Sequence, residues 1–119
     1  MKTDNQIVLD SKAFAIRIIK LYNYLTKDKK EFVMSNQVLR SGTSIGANIS
    51  ESVFAQSRMD FVSKMSIALK EASETRYWLE LLSATEYISE KEFESIVDDV
   101  NKIIGTLVNI VNSTKKNNV

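Results

Sequence analysis

Phe61-Val62-Ser63-Lys64-Met65-Ser66-Ile67-Ala68-Leu69-Lys70-Glu71-Ala72-Ser73-Glu74-Thr75-Arg76-Tyr77-Trp78-Leu79-Glu80-Leu81-Leu82 decides the fold class. Within it Phe61, Met65, Ala68, Ala72, Thr75, Leu79 and Leu82 follow one another at alternate steps of four and three. That spacing returns to one face of an α-helix on every turn, whereas a strand would need alternation at every second residue. Leu69, Trp78 and Leu81 widen the face. Ser57 stands where an N-cap is needed, and Asp60 takes the place that Glu fills in a full capping box.

The flanking sequence repeats the pattern. There is no proline and there are three glycines in 119 residues, so strong turn punctuation is scarce and long helices are the default. From about Leu9 to Thr26, Phe14, Ile18, Leu21 and Leu25 form a helical stripe, with Ala15, Ile19 and Tyr22 beside it and Asp10 able to cap its start. Lys27-Asp28-Lys29-Lys30-Glu31 breaks the stripe as a loop. A second helix is expected from Phe32 or Met34 to Phe54 or Ala55, with Val38, Gly42, Ile45, Ile49 and Val53 on one face. Ser83 to Ile88 is a connector, and Ser89-Glu90-Lys91-Glu92 is a full capping box opening a fourth helix. Four amphipathic helices with short loops give an all-α, antiparallel up-down-up-down four-helix bundle. Residues 1–119 form one domain in this reading, with flexible segments at about 1–8 and 113–119.

Composition narrows the chemistry. Cysteine and histidine are both absent, which removes disulfides, thiol catalysis, the commonest general base and the commonest transition-metal ligands. No enzyme, cofactor or metal is expected. No apolar run approaches the roughly 20 residues of a membrane span, and the N-terminus lacks a signal-peptide core, so a cytoplasmic protein with no membrane partner is expected. Glu71 and Glu74 look like half of a carboxylate-bridged metal site, but the Glu-x-x-His partners are missing. With Glu51 they would carry any reaction. Asp98 and Asp99 are adjacent and point apart on a helix.

The second helix holds the run from Gln37 to Glu51, where small and polar residues stand in place of Leu and Glu. Gly42 and Gly46 each cost about 1 kcal/mol relative to Ala inside a helix, so tertiary packing must compensate. Their spacing of four clears one helix face for close approach by a neighbour. A phosphate-cradling loop is the sharper alternative, but no Walker lysine follows. Ser44, Asn48 and Glu51 form a polar stripe beside the apolar row, and buried members need partners, for which Arg40, Glu71, Glu74 and Arg76 are candidates.

Two features point to partners. In the fourth helix Phe93, Val97, Val100, Ile104, Leu107 and Val111 form one apolar row, and Ile96, Ile103 and Ile110 form a second. Two rows suggest two neighbours, so Ile96, Ile103 and Ile110 are expected at a homo-oligomer interface, the alternative being a thick core in a monomer. On the first helix Arg17, Lys20, Tyr24 and Lys27 recur at steps of three, four and three, continued by Lys29 and Lys30. With Arg40 they make a candidate nucleic-acid surface, cations for phosphates and an aromatic for a base, set against a solvated helix face. Net charge is only +1, yet residues 1–70 carry +5 and residues 71–119 carry −4. That polarity suits an anionic partner, subunits meeting head to tail, or charges simply scattered over solvated faces.

The motif Gln37-x-Leu39-Arg40-Ser41-x-Thr43-Ser44-Ile45-x-Ala47-Asn48-Ile49-x-Glu51 resembles the signature of the bacterial four-helix bundle family labelled 23S rRNA-intervening sequence protein. Phe61, Ile67-Ala68, Glu74 and Tyr77-Trp78-Leu79 continue the resemblance over the third helix. Ser52 stands where that family usually has Gly, and Lys70-Glu71 where it usually has Gly-Ser. The resemblance implies a small non-enzymatic bundle, typically a homopentamer. The family is also similar to the accessory variability protein of diversity-generating retroelements, which implies RNA or DNA and a reverse transcriptase as candidate partners. The alternative is a protein-interaction scaffold that binds no nucleic acid.

Overall fold

A computed structural model describes residues 5–116. Its helices are α1 (Asn5–Lys27), α2 (Met34–Ser52), α3 (Arg58–Ala84) and α4 (Glu90–Lys116). Consecutive helices pack against each other and α4 returns beside α1, which makes the expected four-helix bundle. The seam between α1 and α4 is the sparsest of the four. None of these helices is long and apolar enough to cross a membrane.

The core follows the stripes. All seven heptad positions of α3 from Phe61 to Leu82 are buried, and so are Phe14, Ile18, Leu21 and Leu25 of α1 and Val38, Ile45 and Ile49 of α2. Thr75, the polar member of the α3 stripe, is satisfied by donating to Glu71 O at 2.8 Å and sharing a hydroxyl–hydroxyl hydrogen bond with Ser41 Oγ at 2.9 Å. Burying a hydroxyl with its partners made removes the penalty it would otherwise carry.

Several boundaries move. α1 begins at Asn5, and Ile7 and Ser11 extend its buried stripe toward the N-terminus, where the sequence suggests a flexible segment. Ser11 is the polar residue that hides this continuation, and its hydroxyl donates to Val8 O at 3.1 Å. α4 runs to Lys116, beyond the expected end near residue 113, because Val111 is still buried and Lys115 and Lys116 suit the negative end of a helix dipole. The remaining terminal positions, 1–4 and 117–119, lie outside the described residues. α2 stops at Ser52, so Val53, expected on its apolar face, is exposed in the turn that follows.

The second apolar row of α4 needs correcting. Ile96 and Ile103 lie in the core of the single chain and Ile110 packs against it half-buried, so none of the three is a free face awaiting another subunit. A bundle helix must meet two neighbours of its own chain. For α4 these are α3 and α1, and one row cannot serve both.

Caps fix the ends. Ser57 Oγ accepts from Asp60 N at 3.0 Å, while the shorter Asp60 carboxylate accepts from Gln56 N at 3.1 Å. At α4 the box closes fully, Ser89 Oγ accepting from Glu92 N and Glu92 Oε1 from Ser89 N, both at 3.1 Å. The backbone N–H of Ser89, and then its side-chain hydroxyl, hold the Glu92 carboxyl below its ordinary range; burial opposes them, and the charge of Lys29 adds the smallest lowering effect. α2 has no side-chain cap at Val33. Instead the buried Glu31 carboxylate accepts from Val33 N, Met34 N and Ser35 N at 3.1, 3.0 and 2.7 Å. The cluster from Lys27 to Glu31 therefore hides a helix cap among charges that look solvated.

Candidate functional site: a basic ridge and a polar seam

The ridge on α1 is divided by the fold. Arg17 leans across the sparse α1–α4 seam, donating to Asp99 Oδ2 at 2.8 Å and Ser95 Oγ at 2.7 Å. Its charge serves packing. Lys20 and Lys27 remain exposed on α1, and among the described residues neither they nor Lys29 and Lys30 form an ion pair within the chain. The Lys29 ammonium stands 5.8 Å from the centre of the Tyr24 ring, a cation–π distance. Lys30 holds φ at +56°, a left-handed conformation that turns the chain toward α2.

An acidic groove borders this end of the bundle. About 680 Å³ in volume, it is lined by Tyr24, Lys29, Tyr87 and Phe93 and rimmed by four glutamates between Glu86 and Glu94. Phosphate is therefore disfavoured over Tyr24 and Lys29 on the α4 side, which leaves Lys20, Lys27 and Lys30 as the cations best placed for it.

Arg40 lies elsewhere, on the outer seam between α2 and α3. Its guanidinium pairs with Glu71 at 3.3 Å and also with Glu74, whose carboxylate accepts from Trp78 Nε1 at 3.3 Å. Glu51 pairs with Lys64 at 3.0 Å. Ser44 and Asn48 bond within their own helix, Ser44 Oγ donating to Arg40 O at 2.6 Å and Asn48 Nδ2 to Ser44 O at 2.9 Å. Arg76, a candidate partner for that stripe, turns to Asn101 of α4 at 3.0 Å. No three His, Cys, Asp or Glu residues among those described are grouped to hold a metal ion.

Gly42 and Gly46 face α1. A Cβ on Gly42 would meet Ile18 Cγ1 and Cγ2 at 2.9 Å, and one on Gly46 would meet Ser11 O at 3.4 Å. Together they let the α1 and α2 backbones approach, as their spacing predicts.

Most of the conspicuous polar residues thus join helices to one another, and the geometry defines a four-helix bundle of structural polar seams with a short free basic stretch. A family model described as 23S rRNA-intervening sequence protein matches residues 3–109, and the chain belongs to that family. It is similar to a solved protein of unknown function from the S23 ribosomal protein family of Bacteroides thetaiotaomicron VPI-5482. The two are 56% identical with a TM-score of 0.90, over 91% of this chain and 96% of that one. No curated protein matches the chain.

Proposed function

We propose that the protein is a non-catalytic, homo-oligomeric binding module that associates with nucleic acid through Lys20, Lys27 and Lys30. The observation that carries this reading is that, among the described residues, these three cations hold no ion pair within the chain and stand clear of the acidic groove, while Arg17 and Arg40 are paired. Three lysines make a weak site singly, and repetition around an oligomer supplies avidity. Five subunits is the number the resemblance implies. RNA is the first substrate to test, since the family's name refers to an intervening sequence of 23S rRNA. A reverse transcriptase is the protein partner to test if the chain shares the role of the retroelement accessory protein. The cytoplasm is the compartment this reading requires.

Binding to structured RNA and to duplex DNA, followed by fluorescence anisotropy across a salt series, tests the proposal. Affinity should fall with salt, and Lys27→Gln with Lys30→Gln should flatten the slope by about one unit for each phosphate no longer neutralised. Salt-independent or absent binding near physiological ionic strength would overturn it.

A second reading rests on Phe54 and Met59, which are 83% and 78% exposed around the α2–α3 turn, at the far end of a bundle 49 Å long. Exposed residues of that size suit a protein partner. Capture of a partner that no longer binds after Phe54→Ser, without any nucleic-acid affinity, would favour this scaffold role.

A further inference from the structure

Large apolar side chains facing solvent are unevenly spread over the helices. Among the described residues α1 exposes Leu9, Ile16 and Ile19 and α3 exposes Met59, Ile67 and Tyr77, whereas α2 exposes none and α4 only Val108. α1 and α3 occupy diagonal corners, each packing on α2 and α4 and neither on the other. The surplus apolar surface thus lies on two separate faces.

The two faces match in register. Ile18 fills the space beside Gly42, and the neighbouring Ser41 is hydrogen-bonded to Thr75, so Ile18 and Thr75 share one level of the bundle. α1 and α3 run parallel with the same rise per residue. Counted from that level, Leu9 stands opposite Ser66, Ile16 opposite Ser73 and Asn23 opposite Glu80. On α1 this is a heptad ridge with Ile19 beside it; on α3 it is a heptad of small and polar residues with Met59 and Tyr77 near its ends. Rotation about an axis parallel to the bundle shifts nothing along that axis. A residue of α1 would therefore meet, in the next copy, the α3 residues of its own level.

We infer that the α1 face of one chain docks on the α3 face of a second copy, laying Leu9 and Ile16 over Ser66 and Ser73. The inference rests on the homo-oligomer reading above and names its faces. Small side chains on α3 admit the aliphatic ridge closely, as ridges enter grooves. Charge agrees at the end of the bundle that carries the α1–α2 loop, where Glu80, which has no ion pair among the described residues, comes level with Asn23 and one turn from Lys20. Lys12 and Lys70 fall near each other and keep their ammonium groups in water on long stems. Because the two faces differ, the interface is heterologous and builds a ring when the rotation closes. Lys27, Lys29 and Lys30 of every copy then gather at one end of that ring.

Sedimentation equilibrium of two variants tests this. Leu9→Arg/Ile16→Arg removes the α1 face and Ser73→Arg/Tyr77→Arg the α3 face, all at exposed positions that should leave helix content unchanged by circular dichroism. Each variant alone should be a monomer, and an equimolar mixture should give heterodimers and nothing larger, since one intact face of each kind remains. The cysteine-free chain adds a second readout. Ile16→Cys/Ser73→Cys should cross-link into a ladder on oxidation while Ile16→Cys alone should not. Variants that keep the wild-type size, or an α3-face variant that still dimerises, would overturn the assigned faces and leave the homo-oligomer reading standing. A monomeric wild type would overturn both.

Discussion

Gly42 and Ile18 pack so closely that a Cβ on the glycine would stand 2.9 Å from both γ carbons of the isoleucine. Gly42→Ala should gain up to about 1 kcal/mol in helix propensity and lose about 1–3 kcal/mol to overpacking, for a net loss. Gly105 has nothing within 4 Å of its would-be Cβ, so Gly105→Ala should stabilise α4 by about 0.5–1 kcal/mol. Urea denaturation of the pair checks the opposite signs.

Glu31 closes the start of α2 with three backbone hydrogen bonds from a buried position. Glu31→Ala would strand those donors and should cost about 1–3 kcal/mol, with the first turn of α2 losing hydrogen-exchange protection before the rest. An unchanged denaturation midpoint would show that water replaces the carboxylate without loss.

Glu86 ends α3 in a Schellman motif, with φ at +68° and with Glu86 N and Tyr87 N donating to Ser83 O and Leu82 O. A residue other than glycine there costs about 1–2 kcal/mol in left-handed strain. Glu86→Gly should raise the melting temperature by several degrees, as expected for a gain near 1 kcal/mol in a domain of this size.

Glu92 lies below its ordinary carboxyl value of about 4.5 through its bonds with Ser89. The folded chain therefore prefers the ionised form, and that stabilisation is present above pH 4.5 and lost as pH falls through the lower folded value. Glu92→Gln should melt below wild type at about pH 7, with the gap closing toward about pH 3. A gap that persists in acid would assign the effect to something other than ionisation.

Arg40 and the α1 lysines should separate cleanly. Arg40→Gln leaves Glu71 and Glu74 unneutralised and should cost up to about 1 kcal/mol, limited by the half-exposed site, with no change in nucleic-acid affinity. Lys27→Gln/Lys30→Gln should do the reverse. Parallel thermal melts and salt-series binding curves read both quantities.

The helices were legible because apolar residues recur at steps of four and three, and a helix must put that row against something apolar. Ser57 and Ser89 were legible as caps because their hydroxyls reach donors only three residues away. Glu31 was hidden because its carboxylate acts forward from a loop, outside the usual capping positions, and among like-looking charges. Ser11 hid one turn of α1 for a related reason, being polar at a buried position and satisfied within its own helix.

At the candidate site, the sequence supplied a basic ridge and could not divide it. Arg17 and Lys20 sit one turn apart, yet one binds Asp99 and the other is left free, because only α4 passing beside α1 brings Ser95 and Asp99 within reach. Likewise the second row of α4 announced two neighbours without saying whether they belonged to the same chain. Periodicity, a local property of about 3.6 residues per turn, determined by itself that this is a four-helix bundle, and the Gln37–Glu51 motif pointed to the family. Which cations stay free, which isoleucines are buried and which helix faces remain uncovered were decided by tertiary structure alone, since each depends on what another helix places within a few ångströms.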